Sequence, residues 1–146
     1  MLKIWNDSLK IFGGIFLLAV TSAFGFHISV KSMTTASQVF VGDRFDYEIS
    51  VTAPESAMVD LPSFVGNLGN FEVKDLQHEE RTEGAPKGQK KFVWRATLNT
   101  FVAGDFLIAP QEVRAVFGAD SVETRTDPVA VKVVSRTDGS EEDILD

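Results

Sequence analysis

The sequence contains no cysteine, and this absence removes disulfide frameworks, thiolate zinc sites, catalytic thiols and a lipidated N-terminal cysteine together. Only two histidines, His27 and His78, are available as imidazole bases or metal ligands. Basic residues are also scarce: 14 Lys and Arg stand against 21 Asp and Glu, for a formal charge of -7. Binding to a phosphate backbone needs clustered cations, so this balance argues against nucleic acid as a partner. At 146 residues the chain is too short for two ordinary domains. Its 44% apolar and 10% aromatic content is nevertheless that of a chain that packs a core.

The N-terminal segment speaks to location. Lys3 and Lys10 flank a short mixed stretch, and an apolar run from Ile11 to Val20 leads into Thr21-Ser22-Ala23-Phe24-Gly25. This is the pattern of a secretory signal peptide over residues 1–25. Small residues are needed three and one positions before the cut, and Ala23 and Gly25 place it before Phe26. Thr21 and Ala23 offer a second site before Phe24. An uncleaved anchor is the rival, because Ile11 to Val30 carries no formal charge and approaches the roughly 20 residues that a membrane helix needs. Cleavage is favoured, since the strongly apolar part is short and small residues follow it. The remaining chain carries 12 basic and 20 acidic residues, a formal charge of -8.

From Phe26 onward, apolar residues alternate with polar ones. Arg44 to Thr52 is apolar at every odd position and polar at every even one, which predicts a strand with one buried face. Val41-Gly42-Asp43 supplies a turn before it, and Ala53-Pro54-Glu55 ends it because proline cannot donate to the ladder. A second long strand runs from Phe92 to Asn99, with Phe92, Trp94, Ala96 and Leu98 on one face and a mostly solvated face opposite. Shorter strands are predicted at Phe26 to Val30, Met58 to Leu61, Phe71 to Leu76, Asp105 to Ile108, Glu112 to Phe117 and Val129 to Val134.

Gly66 to Asn70, Ala103 to Asp105 and Gly118 to Ser121 read as turns or hairpin connections. Glu79 to Gln89 reads as an exposed, mobile hairpin tip. No sustained helical period follows the leader. Seven or eight short strands in about 110 residues predict an all-β fold, an antiparallel immunoglobulin-like β-sandwich over residues 26–136, with a closed barrel as the alternative. The expected core is Phe45, Tyr47, Ile49, Val51, Phe71, Val73, Phe92, Trp94, Leu98, Phe106, Ile108, Val129, Val131 and Val133. Residues 137–146 read as an acidic tail with little to bury, or as a truncated linker.

Motifs for chemistry are absent. There is no Gly-x-Ser-x-Gly elbow, no Gly-x-x-x-x-Gly-Lys and no His-Glu-x-x-His, so the expectation is a protein that is not an enzyme and holds no cofactor or metal. His78 beside Glu79 and Glu80 is poorly spaced for a metal, because adjacent strand residues point to opposite faces. Asp43 with Asp46, and Glu141 with Asp143, lack the alternating oxygen ligands and central glycine of a calcium loop. The remaining candidate is a contact patch. Phe101 and Val102 fall between an alternating run and a turn, and Lys87, Lys90 and Lys91 form a small basic cluster able to meet an anionic partner. The preferred reading of these lysines is an edge or loop that they keep soluble.

Several short motifs taken together resemble a known family. These are Val41-Gly42-Asp43 before an alternating strand, Gly69-Asn70-Phe71, the aromatic strand running into Ala103 to Pro110, the closing Asp127 to Val133, and the terminal Glu142-Asp143-Ile144-Leu145-Asp146. Their order is similar to the N-terminal region of BatD-like proteins, the "oxygen tolerance" family of Bacteroides aerotolerance. The resemblance implies an exported, periplasmic or envelope-associated bacterial protein with immunoglobulin-like domains, encoded beside von Willebrand A-type proteins and a MoxR-type ATPase. It carries over no catalytic residue. Members usually continue into further β domains and a transmembrane helix, and this chain departs from them by stopping at Asp146.

The function expected is a non-enzymatic protein-interaction module of an envelope or oxygen-tolerance system. Its expected partners are envelope proteins, von Willebrand A-type membrane proteins among them, with membrane contact only through an uncleaved signal or through a partner. The alternative is a small carbohydrate- or cell-surface-binding module that uses exposed aromatics such as Phe101.

Overall fold

The computed structural model describes residues 26–61 and 67–135. The predicted leader, the cut before Phe26 and the acidic tail lie outside them. Every regular element among the described residues is a strand. In order these are β1 (Ser29–Thr34), β2 (Gln38–Phe40), β3 (Phe45–Pro54), β4 (Met58–Asp60), β5 (Asn67–Leu68), β6 (Phe71–Arg81), β7 (Gln89–Asn99), β8 (Gly104–Ile108), β9 (Glu112–Phe117), β10 (Asp120–Arg125) and β11 (Val129–Val134).

One sheet has the order β1-β3-β7-β6-β5, all antiparallel. The other side of the molecule is made of two three-stranded pieces, β10-β9-β4 and β2-β11-β8. These pieces are joined end to end. β8 continues into β9 and β10 into β11, and at the break the Thr126 amide donates to the Gln111 carbonyl at 2.9 Å. The Gln111 amide returns a bond of 2.8 Å to Thr126 Oγ1. The two long bent strands thus make one curled sheet, flanked by β2 and β4.

The result is an all-β sandwich with immunoglobulin-like strand order: four strands in the first layer pair as A-B-E-D, and β4, β9 and β10 as C-F-G. The opening of the chain is shared between layers. β1 pairs antiparallel with β3, whereas β2 pairs parallel with β11, the one parallel pairing among the described strands.

The alternation in β3 is realised without a break. Phe45, Tyr47, Ile49, Val51 and Ala53 are buried, and the residues between them are half-buried. They meet Phe92, Trp94, Ala96 and Leu98 of β7 in the same sheet, and Ile108, Val113, Val131 and Val133 from the opposite layer. Phe71 links the layers, 5.3 Å from the Phe45 ring and 5.5 Å from that of Phe106, both edge to face. The expected residues all belong to the observed core or pack against it, Val73, Phe106 and Val129 only partly buried, and the core also takes in Val39, Leu61, Leu68 and Val113.

Several expectations are corrected, beginning with the first strand, which was expected at Phe26 to Val30 and spans Ser29–Thr34 instead. The outer face of β7 is not mostly solvated, since Val93 and Asn99 are buried. β7 is central in its sheet, and Val93 is a short side chain that shares its face with the longer Lys91 and Arg95 on either side of it in the strand. β6 extends to Arg81 and β7 begins at Gln89, so the exposed tip shrinks to residues 82–88. β10 forms where only a hairpin connection was expected, and β5 forms inside the Gly66 to Asn70 turn. Finally, β6 slips register between Val73 and Asp75, so one residue is accommodated as a bulge.

Candidate functional site

The bulge in β6 determines what the edge of the first sheet presents. Before it, Phe71 and Val73 pack inward; after it, Leu76, His78 and Glu80 lie opposite Ala96, Trp94 and Phe92 and share the inward phase. The second layer does not reach them. Every residue of β6 from Lys74 to Arg81 is exposed, including Leu76 at 41%. β5 pairs only with Phe71 and Glu72, so beyond that point β6 has no strand on its outer side among the described residues. Its backbone amides and carbonyls form an open edge, and its charges limit indiscriminate pairing with other chains.

Side chains along this edge are organised. His78 stacks on Trp94, with ring centroids 4.6 Å apart. Its Nε2 is 3.9 Å from Glu80 Oε2, and Lys90 Nζ donates to Glu80 Oε1 at 2.8 Å. The Lys90 hydrogen bond holds the Glu80 carboxyl below its ordinary value, opposed by slight desolvation. Arg95 donates to Glu48 at 2.7 Å on the opposite face, and that bond raises the guanidinium further. The carboxylate beside His78 is solvent-exposed, so the pair lacks the buried setting that tunes a general acid or base. Among the described residues no three His, Asp or Glu side chains are placed to hold a metal ion.

The predicted contact residues do not converge. Phe101 and Val102 are 71% and 59% exposed, just beyond the C-terminal end of β7. Lys90 and Lys91 belong to the opposite end of that strand, and Lys87 to the tip. At about 3.3 Å per residue, Lys90 and Phe101 are separated by roughly 35 Å of extended chain. The lysines are divided as well. Lys90 lies in phase with the core face and is 5.3 Å from the Phe92 ring, while Lys91 points to the other face, near Gly84. The five residues therefore make two separate surfaces.

At the Phe101 end, the Gly42 amide donates to the Thr100 carbonyl at 2.8 Å. Gly42 has a φ of +86°, and a Cβ there would stand 3.1 Å from Phe101 Cε1. Glycine thus allows both the turn and the close seat of the ring. A depression of about 350 Å³ opens beside the ring, lined by Asn67, Asn70, Glu72 and Asn99 among others. Sequence reading missed this row because its members come from three segments. Asn67 and Asn70 were absorbed into a turn, and Asn99 into a solvated strand face.

No protein-family model and no curated protein matches this chain.

Proposed function

We propose that the chain is a non-enzymatic, exported protein-interaction module of a BatD-like envelope system, and that it engages its partner along the outer edge of β6. The observation that carries this reading is the open edge from Lys74 to Arg81, solvent-exposed yet paired with β7 on its inner side from Asp75 to Arg81. A strand added there gains main-chain hydrogen bonds, and alternate side chains supply selectivity. Leu76 gives the incoming strand an apolar contact, and Asp75, Glu79, Glu80 and Arg81 demand matching charges. A mixed charged edge of this kind rejects its own copies more readily than it rejects a complementary partner.

The test is site-specific crosslinking in a fractionated envelope. A photoreactive residue at Gln77, on the open edge, is compared with one at Glu123 on β10. Capture of a von Willebrand A-type membrane protein from Gln77 and not from Glu123 is the expected result. Equal capture at both positions, or none from a folded and exported chain, would falsify the proposal.

A further inference from the structure

We infer that the Phe101 end of the sandwich holds a saccharide-binding subsite, formed by the open ring face of Phe101 and the polar row Asn67, Glu72 and Asn99. This site is independent of the β6 edge and uses none of its residues beyond the β5 pairing.

The row follows from strand register. Asn67 is opposite Glu72, and Glu72 is opposite Asn99, so the three side chains stand side by side across β5, β6 and β7 on the same face. This face is the outer one, because the neighbouring Phe71 and Leu98 are buried in the core. The three residues offer amide donors, amide acceptors and a carboxylate at the spacing of adjacent strands, about 4.8 Å. Lys74 Nζ is 3.5 Å from the Glu72 carboxylate and does not line the depression.

Phe101 supplies the second element of recognition. A side chain 71% exposed would ordinarily sample several rotamers, but this ring rests against the bare backbone of Gly42. One side is supported, leaving an apolar surface toward solvent beside the polar row. An apolar platform next to convergent donors and acceptors matches the two sides of a pyranose ring, its C–H face and its hydroxyl edge.

Two further observations narrow the ligand class. No Lys or Arg lines the depression and Glu72 does, which disfavours phosphate or carboxylate ligands. In addition, Asn99 is only 5% exposed, and its Oδ1 has no hydrogen-bond donor among the described residues. A buried acceptor left unmet is costly, and a turn of this amide toward the depression would let an entering hydroxyl supply the donor it lacks. The ligand is accordingly a neutral, polyhydroxylated ring.

The experiment is a titration of the folded ¹⁵N-labelled chain with chitotetraose, cellotetraose, mannotetraose and free glucose, followed by heteronuclear NMR. The expected result is saturable shifts of the Asn67, Asn70 and Asn99 side-chain amides and of the Gly42 backbone amide with at least one oligosaccharide. Phe101→Ala should weaken that affinity about tenfold or more, and Asn67→Ala should also weaken it. Leu107→Ala, which removes another largely exposed apolar side chain elsewhere, and Leu76→Asp, on the β6 edge, should leave it unchanged. Both Phe101→Ala and Asn67→Ala act at exposed positions, and their dispersed spectra verify folding. Absence of saturable shifts with all four probes, or shifts that survive Phe101→Ala, overturns the inference. Crosslinking from Gln77 is unaffected by either outcome, so the two readings fail separately.

Discussion

β3 and β6 flank the same strand, and each pairs with β7 along nearly its whole length. Their surroundings nevertheless differ at almost every position. In β3 each odd residue is buried; in β6 nothing after Val73 is even half-buried. Hydrogen-bonded pairing therefore does not confer burial. What buries β3 is the second layer, whose Val113, Val131 and Val133 share one core with Tyr47, Ile49 and Val51. β6 lies at the margin of the sandwich, where that layer has ended. It keeps the backbone geometry of a core strand while presenting the surface of an edge.

The largest expected effect tests burial by the second layer. Ile49→Ala, at a fully buried position of β3, should destabilise the fold by about 2 to 5 kcal/mol in urea titrations, whereas Leu76→Ala in β6 should cost less than about 1 kcal/mol. Equal losses would show that β6 is covered in solution and would break the contrast.

A second measurement sharpens the core side through Tyr47. Burial raises its phenol above the ordinary value of 10.0, and the neighbouring Thr126 and Ser32 hydroxyls only partly offset this. The raised value means that the folded state holds the proton more tightly than the unfolded chain. Stability is thus undiminished by this group below pH 10 and falls as pH rises above it, by up to about 1.4 kcal/mol per pH unit until the folded group ionises. Tyr47→Phe should flatten that alkaline decline. An unchanged decline would assign it to other groups.

Gly42→Ala should cost about 1 kcal/mol, because the left-handed backbone penalises a Cβ and the ring of Phe101 stands in its way. In a double-mutant cycle, Phe101→Ala should recover the steric part and leave the backbone part. Full additivity would mean that the ring does not rest on Gly42.

The smallest effect is expected at the β6 margin. Glu80→Gln removes an exposed ion pair with Lys90 and should cost well under about 1 kcal/mol at pH 7 once solvent screening is counted. Because the Glu80 carboxyl is held below its ordinary value, its contribution is present above about pH 4.5 and is lost as pH falls through the lower folded value. A large loss at pH 7 would contradict an exposed margin.

Much of this contrast was legible in the chain itself. The unbroken alternation from Arg44 to Thr52 announced a half-buried strand, and the four in-phase residues Phe92, Trp94, Ala96 and Leu98 announced its partner. Phe101 and Val102 were recognisable as falling after that run and before a turn, and they are exposed. Other features left no such mark. Three residues are too few for periodicity to reveal β2, and Ser121, Glu123 and Arg125 alternate with only one strongly apolar residue, Val122. The bulge in β6 was hidden because Lys74 and Asp75 look like ordinary solvent-facing residues. The polar row near Phe101 was hidden because a turn separates Asn67 from Glu72 and Asn99 comes from a different, distant strand.

Local pattern, by itself, determined that this chain builds strands, which residues of β3 and β7 face inward, and that no cysteine holds the layers together. Those properties depend on the period of two along each strand and on residue chemistry, and both are local. Tertiary structure alone decided that β2 would run parallel to β11, that β6 would keep an open edge, and that Asn67, Glu72 and Asn99 would stand in one row. The physical reason is that pairing and register are settled by contacts between distant segments, and a single accommodated residue at the bulge reverses which side chains face the core.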